Sequence, residues 1–314
     1  MINLTLASGA PLSTLAFGTM QFGARADAAA SRAMYDAARA AGITHFDTAC
    51  GYADGASESL LGGFVAAERD RVFVATKVAY HGGAGRTNIL AQFEGSLKRL
   101  NMDYVDLLYL HRWHDSSPLD ETFSTMAELL DQGRIRHIGV SNYAAWQVMK
   151  AQGIAATFGT RIDAIQPMYN LVKRQAEVEI IPMAVDQGIS IFPYSPLGGG
   201  LLTGKYAQGG TGRLSEDKMY AARYAPTWMH DAAADLAAIA AELNMDAATL
   251  AVAWVMAHPA GPVPIISAKS VAQLAPSLAP ALAANRAIMT PTLYRRIADL
   301  SQTPAPATDR LEES

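Results

Sequence analysis

The sequence has very little cysteine, with Cys50 alone among 314 residues. A single cysteine cannot form an internal disulfide, so a small disulfide-stabilised secreted domain is excluded. Runs of Lys and Arg are also missing, and the formal net charge of -4 argues against a nucleic-acid-binding surface. No apolar run approaches the roughly 20 residues that span a membrane.

The first residues, Met1 to Leu6, do not combine a basic region with an apolar signal core. We therefore expect a soluble, cytoplasmic protein with no membrane or nucleic-acid partner. Half of the residues are hydrophobic, which is enough for a large core, and single α/β barrels often reach this length. We predict one domain over residues 1–302 and a disordered Pro-rich, acidic tail over residues 303–314.

Short apolar runs alternate with amphipathic helical sequence along most of the chain. The runs predicted as strands cover residues 15–19, 43–47, 72–77, 105–110, 135–140, 162–166, 189–193 and 263–266. Eight β-α repeats predict a closed parallel (β/α)8 barrel, the TIM barrel.

Local sequence patterns also predict a hairpin, helix caps, a long connection and a C-terminal helix. Residues 2–6 and 11–15 flank a glycine-containing turn and predict an N-terminal hairpin. Asp27 and Thr87 are predicted N-caps, and Pro182 should kink or restart the sixth helix. Residues 198–227 form a long connection, and a C-terminal helix is expected after Thr290 as N-cap, reaching about residue 300.

Polar or conformationally special residues stand at or just past every predicted strand end. The carboxyl ends of parallel barrel strands meet at one face, where such barrels carry their chemistry. The residues there are Gly18, Thr19, Met20, Asp47, Tyr52, Lys77, His111, Ser141, Asn142, Gln166, Tyr194, Ser195 and Lys269.

Four of these residues suggest an acid/base site. A phenol has an ordinary pKa of about 10, and we expect Lys77 to lower the pKa of Tyr52 by stabilising its phenolate. Asp47 would keep Lys77 charged and oriented, and His111 would hydrogen-bond a substrate carbonyl oxygen. The sequence shows no evident nucleophile and no cluster with metal-ligand spacing, so a proton donor of this kind suggests an external reductant.

At this point the sequence resembles the aldo-keto reductases, from about residue 15 to residue 278. The blocks that carry the resemblance stand in family order and are Phe46-Asp-Thr-Ala-Cys-Gly-Tyr52 with Ser57-Glu58, Ala75-Thr-Lys77, Leu97-Lys-Arg-Leu100 with Asp103-Tyr-Val-Asp106, Gly133-Arg-Ile-Arg-His-Ile-Gly-Val-Ser-Asn142 and Tyr194-Ser-Pro-Leu-Gly-Gly-Gly-Leu-Leu-Thr-Gly-Lys205. The resemblance implies reduction of aldehydes and ketones, or the reverse reaction, with NADPH more often than NADH.

The resemblance also implies roles for individual residues. Asp47, Tyr52, Lys77 and His111 match the catalytic tetrad. The expected cofactor contacts are Gly18, Thr19, Met20 and Asp47 near the first strands, Ser141, Asn142 and Gln166 at the nicotinamide carboxamide, Tyr194 as the stacking ring, and Ser195, Leu197, Gly198 and Lys205 along the pyrophosphate.

The last cofactor block departs from the family pattern. It reads Ser267-Ala-Lys269-Ser270, and Pro276-Ser277 stands where Glu-Asn is common. Lys269 and Gln273 remain as the phosphate and adenine contacts. Lys269 can pair with a 2'-phosphate and Ser270 can add a hydrogen bond, so NADP(H) is favoured over NAD(H).

Some aromatic residues have two readings. Trp113 follows the tetrad histidine closely and either lines the substrate pocket or packs in the loop. For Tyr80 and Trp228, ordinary packing is favoured over pocket lining.

Two kinds of function remain open. The first is a nicotinamide-dependent enzyme acting on a small carbonyl or alcohol substrate, sugars included. The second is a cofactor-binding regulatory or sensor protein that works through a partner, as the potassium-channel beta subunits of this family do. A barrel isomerase or hydrolase fails for want of a nucleophile or metal. The sequence does not determine the substrate, the direction of reaction or the oligomeric state.

Overall fold

The computed structural model of the protein describes residues 4–281 and 288–308. Within them every predicted strand is present, and most are shorter than the apolar runs that contain them. The strands are β1 Ala16–Gly18, β2 His45–Asp47, β3 Phe73–Val78, β4 Val105–Leu110, β5 Ile135–Ser141, β6 Ala164–Gln166, β7 Ser190–Ile191 and β8 Ile265–Ile266.

The strands form one curled, entirely parallel sheet. Its order is β7-β6-β5-β4-β3-β2-β1-β8, so neighbours in the sheet are neighbours in the chain apart from the β1–β8 pair. The two edges also meet: Val263 N donates to Ile191 O at 2.9 Å, and Ile265 N donates to Pro193 O at 2.8 Å. This connectivity is consistent with the predicted (β/α)8 barrel.

Helices follow the strands and cover the outside of the sheet. They are α1 Ala28–Ala40, α2 Ala56–Val65, α3 Arg86–Leu100, α4 Leu119–Asp131, α5 Ala145–Thr157, α6 Ile180–Asp186, α7 Arg213–Glu216, α8 Lys218–Arg223, α9 Thr227–Glu242, α10 Ala247–Met256, α11 Val271–Leu278 and α12 Pro291–Ala298. Short 3-10 helices cover Tyr52–Gly55, Ala66–Arg71, Gln175–Glu177, Gly198–Thr203, Lys205–Gln208 and Ala279–Ala281.

The core has two parts. The larger cluster of buried side chains lies between the sheet and the helices, and a smaller one fills the inside of the sheet. Leu4, Leu6 and Leu12 of the N-terminal segment belong to the inner cluster together with Phe73 and Leu107. The N-terminal segment therefore covers the inner cluster, while the residues past the carboxyl ends of the strands line a cavity.

Most local predictions are confirmed. Asp27 caps α1 by accepting a hydrogen bond from Ala30 N at 2.8 Å, and Thr290 caps α12 by accepting from Leu293 N at 3.2 Å. Pro182 lies in the first turn of α6, where its missing N–H costs no helical bond. Thr87 is not a cap: α3 already begins at Arg86, and its N-cap Gly85 has no side chain to contribute.

The chain ends are described in part. Leu6 N donates to Ala10 O at 2.9 Å, and Thr5 pairs with Pro11 in an antiparallel bridge, as a hairpin requires. Residues 2 and 3 of that predicted hairpin lie outside the described residues. Residues 303–308 contain neither helix nor strand, and residues 309–314 of the predicted tail lie outside the described residues.

In the described part of the chain, no single helix is long and apolar enough to cross a membrane. Helices α9 and α10 reach the required length and composition only as a pair, which is bent by 102°.

Candidate active site

A cavity of about 1010 Å³ opens beyond the carboxyl ends of the strands. It brings together most of the residues singled out from the sequence. Those that line it are Gly18, Met20, Asp47, Tyr52, His111, Ser141, Asn142, Gln166, Tyr194, Ser195, Leu197, Lys205, Lys269 and Gln273.

A buried ion pair lies at the bottom of this region. Lys77 on β3 is fully buried and donates to Asp47 Oδ1 at the end of β2, and also to Thr48 O at 2.8 Å. The second carboxylate oxygen, Asp47 Oδ2, accepts a hydrogen bond from Gln166 Nε2 at 2.9 Å. Both charges are therefore compensated by direct partners, as burial requires.

The two members of the pair have shifted pKa values. Burial raises the pKa of Asp47, and the attraction of Lys77 opposes that rise. Burial also acts to lower the pKa of Lys77, but Asp47 and Tyr52 together outweigh it, so the net shift is upward. An ammonium with a raised pKa stays charged at neutral pH, and Lys77 is therefore a fixed positive charge in the site.

Tyr52 completes a chain of contacts with this pair. Its hydroxyl oxygen lies 3.3 Å from Lys77 Nζ. The turn after it is unusual because Ala53, Asp54 and Gly55 all have left-handed backbone conformations, with φ values of 49°, 52° and 92°. Such conformations are costly for non-glycine residues and occur where the surroundings fix the chain.

The net pKa shift of Tyr52 corrects the sequence-based expectation. Lys77 does act to lower the pKa of Tyr52, as expected, but burial is the larger effect and the net pKa is raised. The prediction of a lowered pKa is therefore wrong. A raised pKa keeps the phenol protonated at neutral pH, which is the form that can donate a proton.

His111 lies beside Tyr52 at the end of β4. The two rings meet edge to face with centroids 6.0 Å apart. The Tyr80 ring also packs against the His111 ring, with centroids 4.9 Å apart. Burial, followed by the charge of Lys77 and His81, lowers the pKa of His111 to about 3. The imidazole is neutral at pH 7 and carries a single N–H donor.

Polar side chains after β5 and β6 form a connected network at the next part of the cavity. Asn142, with φ of 57°, donates from Nδ2 to His111 O at 3.0 Å and accepts from Tyr194 OH at 2.7 Å. Ser141 Oγ donates to Gln166 O at 2.9 Å. Because Gln166 also contacts Asp47, this network is continuous with the buried ion pair.

The glycine-rich segment after β7 comes close to the cavity with its backbone. Gly199 and Gly200 have φ values of 66° and 98°, which side-chain-bearing residues rarely adopt. A Cβ on Gly199 would lie 2.7 Å from Tyr220, and one on Gly200 would lie 3.3 Å from Lys205 Cε. The segment thus brings bare backbone and one lysine to the same wall.

The wall after β8 offers a hydroxyl and a second lysine. Ser267 Oγ lines the cavity, is buried and has no hydrogen-bond partner among the residues described. Gln273 accepts from Lys269 N at 2.9 Å, and Ser270 Oγ caps α11 by accepting from Gln273 N at 3.3 Å. Lys205 and Lys269 have no carboxylate partner in the described part of the chain. An unpaired buried hydroxyl, two such cations and bare backbone fit an anionic dinucleotide.

Four predicted site residues do not line the cavity, and fully buried Lys77 is one of them. The Thr19 side chain is buried, where its hydroxyl lies 2.8 Å from Ser57 Oγ. Gly198 is buried at the start of the glycine-rich segment, where a Cβ would lie 3.4 Å from the Tyr224 ring. Trp113 packs edge to face on Tyr143 and Trp146, and its Nε1 donates to Asp115 Oδ1 at 2.7 Å. These contacts fit the packing alternative for Trp113, and its pocket-lining interpretation stays a prediction.

Other residues line the cavity without having been identified from the sequence. Tyr80, for which ordinary packing was favoured, lines the cavity beside His111. The sequence position of Arg112 could have identified it as a lining residue, because it directly follows the strand-end residue His111. No such position marks Tyr220 and Arg223, since they lie on α8 inside the long connection, where no helix was predicted.

Comparison with known proteins supplies the family. The aldo/keto reductase family model matches residues 14–284. A protein of Oryza sativa subsp. japonica, named a probable voltage-gated potassium channel subunit beta, is 34% identical over 276 residues, which cover 80% of this chain and 82% of that protein. Aflatoxin B1 aldehyde reductase member 2 of Mus musculus is 40% identical over 207 residues, or 64% of this chain and 56% of that protein.

A bacterial relative aligns over more of the chain. The uncharacterized oxidoreductase YrpG of Bacillus subtilis is 33% identical over 292 residues, which cover 85% of this chain and 86% of that protein. The family match covers the strands and the cavity together. This chain belongs to the aldo/keto reductase family.

Proposed function

We propose that the protein is a carbonyl reductase or alcohol dehydrogenase that uses NADP(H), with Tyr52 as the proton donor. The observation that carries the proposal is the contact of buried Lys77 with both Asp47 and Tyr52, which line one cavity together with His111. Family membership supports nicotinamide-dependent carbonyl reduction in general. The substrate is a small aldehyde, ketone or alcohol, sugars included.

Each of these four residues has a distinct role in the proposed reaction. Tyr52 donates its phenolic proton to the carbonyl oxygen during reduction, and its phenolate accepts a proton in the reverse direction. Lys77 stabilises that phenolate, while Asp47 and Thr48 O hold the ammonium in place. The neutral His111 donates a hydrogen bond to the same carbonyl oxygen.

The bound nicotinamide cofactor supplies the hydride. Among the residues of this chain, Ser141, Asn142 and Gln166 would hold the carboxamide, and the Tyr194 ring would stack on the nicotinamide. The wall of Ser195, Leu197 and Lys205 would follow the pyrophosphate, and Gly18 and Met20 would also contact the cofactor. Lys269 and Gln273 would hold the adenosine end, where the cation favours NADP(H).

A turnover assay tests the proposal. Purified protein is mixed with NADPH and a panel of aldehydes, ketones and sugars, and the absorbance of the reduced nicotinamide is followed. The same panel is repeated with the alcohols and NADP+. Steady turnover that Tyr52→Phe abolishes supports the proposal, and the absence of turnover across the whole panel would remove it.

A regulatory or sensor role is the alternative, and the similarity to a plant protein named as a potassium-channel beta subunit favours it. A protein of this kind would bind NADPH, as measured by cofactor fluorescence, without sustained turnover. The organisation as one barrel domain through residue 302 and the cytoplasmic location stay predictions.

A further inference from the structure

The cavity is lined by an excess of cations. Asp47 is the one carboxylate among the described lining residues, and Lys77 and Gln166 occupy its oxygens. The cationic lining residues are Arg25, Arg99, Arg112, Lys205, Arg213, Arg223 and Lys269. Two of them are neutralised, because Arg25 pairs with Glu216 at 3.0 Å and Arg99 pairs with Glu58 at 2.7 Å. Within residues 4–281 and 288–308 the other five have no carboxylate partner.

Part of this excess suits the proposed cofactor. Lys205, Lys269 and Arg213 lie near one another. Burial is the largest cause that lowers the pKa of Lys205, and the positive charges of Lys269 and Arg213 lower it further. They stand on the glycine-rich segment, α7 and the segment after β8, where cofactor phosphates would lie. The phosphates of NADP(H) account for these three cations and leave Arg112 and Arg223.

Arg112 lies at the other part of the cavity, directly after His111. Its guanidinium carbon is 5.3 Å from the centroid of the Tyr80 ring, and the same ring is 4.9 Å from the His111 ring. Stacking on an aromatic face orients a guanidinium without neutralising it and leaves its N–H donors free. Arg112 is thus an exposed, cavity-lining cation that stacks on Tyr80 and has no carboxylate partner among the described residues.

Arg223 supplies a second cation from α8. Its guanidinium lies 5.1 Å from the centroid of the Tyr220 ring, whose hydroxyl accepts a hydrogen bond from Arg213 Nη1 at 3.0 Å. Burial is the largest cause that raises the pKa of Tyr52, and Tyr220 lies near enough to add to that rise. A cavity lined by one sign of charge concentrates ligands of the opposite sign.

We propose that Arg112, with Arg223, forms an anion subsite next to Tyr52 and His111, and that the preferred substrates are carbonyl compounds that also carry a carboxylate. The proposal rests on the reductase function. Arg112 provides two N–H donors in a planar fork, which matches a carboxylate in a bidentate arrangement. The reaction is unchanged, because the carboxylate is only bound and the carbonyl group is reduced.

Two matched aldehydes test the proposal. 4-Carboxybenzaldehyde and 4-formylbenzamide have the same ring and the same aldehyde, and they differ in charge. Because the amide withdraws more electrons than the carboxylate, intrinsic reactivity favours the amide. With NADPH at low ionic strength, we expect kcat/KM to be roughly tenfold higher for the acid. Added salt should reduce that ratio.

Variants assign the preference to residues. Arg112→Met should bring the ratio of the two kcat/KM values close to one, and Arg112→Lys should keep part of the preference because it keeps the charge. Arg223→Met should lower the ratio by a smaller factor. Arg295→Met removes an exposed arginine that does not line the cavity and should keep the wild-type ratio.

The outcomes separate the two proposals. Turnover of the amide with a wild-type ratio of one or less leaves the reductase function standing and overturns the anion subsite, as does a high ratio that survives Arg112→Met. No turnover of either aldehyde, or of any carbonyl compound in the panel, removes both. A binding measurement covers weakly active variants: benzoate should raise the Tm of the NADP+ complex more than benzamide does, and Arg112→Met should abolish that difference.

Discussion

The ammonium nitrogen of Lys77 lies 3.3 Å from the hydroxyl oxygen of Tyr52, although the two residues are 25 positions apart in the chain. The same nitrogen lies 4.9 Å from the centroid of the Tyr52 ring. Lys77 is at the end of β3, and Tyr52 follows β2, its neighbour in the sheet. The contact favours the phenolate, while burial of Tyr52 favours the protonated phenol. The proposed proton donor is therefore held protonated next to the charge that stabilises its conjugate base.

Replacing Tyr52 by Phe removes the proton and keeps the ring. We expect Tyr52→Phe to lower kcat for the best carbonyl substrate by roughly 100- to 10,000-fold, because positioned proton transfer contributes an effect of that size. NADPH affinity, measured by fluorescence titration, should change little. Tyr104→Phe is the matched control, since that tyrosine directly precedes β4 and does not line the cavity. Near-normal turnover by Tyr52→Phe would rule Tyr52 out as the donor.

Much of the fold and of the site follows from the sequence because both depend on periodic patterns. Apolar runs that alternate with amphipathic helices define the repeats, and parallel strands place their carboxyl ends at one face. Asp47, Lys77 and His111 come together for this reason. The contact between Gln166 and Asp47 has the same origin, although the sequence suggested only a cofactor role for Gln166.

Other features depend on packing that no local pattern encodes. The net pKa of Tyr52 is the difference between burial and the attraction of Lys77, and only the folded structure gives the size of each. The direction of Trp113 is set by contacts with Tyr143 and Trp146. The Ser267 hydroxyl has no hydrogen-bond partner among the described residues, and this too can be known only from its surroundings in the fold.

Removing one member of the buried ion pair should destabilise the protein. Lys77→Met leaves Asp47 buried without its cation, and we expect the free energy of unfolding to fall by about 3–5 kcal/mol. The double variant Asp47→Asn/Lys77→Met has no buried charge there and should recover most of that loss without recovering turnover. Urea unfolding at pH 7 measures the first effect and NADPH oxidation the second. A double variant that is no more stable than Lys77→Met would show that the loss is one of packing.

The same substitution tests whether Lys77 acts through Tyr52. Adding Lys77→Met to Tyr52→Phe should reduce kcat little further, because both changes remove the same proton step. Multiplied losses in the double variant would mean that the two residues do separate jobs.

His45 should make the protein sensitive to acid. Its ring is fully buried between Phe73 and Phe192, and neither ring nitrogen has a hydrogen-bond partner among the residues described. Burial, followed by the charge of Lys77, lowers the pKa of His45 to about 3. Between this value and the unfolded value of about 6.5 the unfolded state binds the extra proton, so stability falls as the pH falls through this range.

The expected slope is about 1.4 kcal/mol per pH unit for each such histidine. His111, whose pKa is also lowered to about 3, adds a similar contribution. His45→Leu should therefore flatten the dependence of unfolding free energy on pH between about pH 4 and pH 6, with a change of slope of roughly that size. Urea titrations of both proteins at several pH values give the slopes. Identical slopes would show that His45 is protonated in the folded protein or reaches water.

The choice between NADPH and NADH should depend on Lys269. This lysine lines the cavity, precedes the N-terminus of α11 and lies near Lys205, which also carries a positive charge. A cation is unfavourable at a positive helix N-terminus unless an anion is bound there. Lys269→Ala should therefore leave the stability of the cofactor-free protein unchanged or slightly raised, while it weakens NADPH binding by roughly 10- to 100-fold.

Matched variants separate the 2'-phosphate from the rest of the cofactor. NADH lacks the 2'-phosphate, so Lys269→Ala should change the affinity for NADH by less than about threefold. Lys205→Ala should weaken the binding of both cofactors, because both carry the pyrophosphate. Lys150→Ala removes an exposed lysine outside the cavity and should affect neither. Fluorescence titrations with both reduced cofactors give the affinities. Equal wild-type affinities, or a Lys269→Ala protein that loses NADH binding as much as NADPH binding, would remove the basis for NADP(H), because no charge-assisted contact would then distinguish the two.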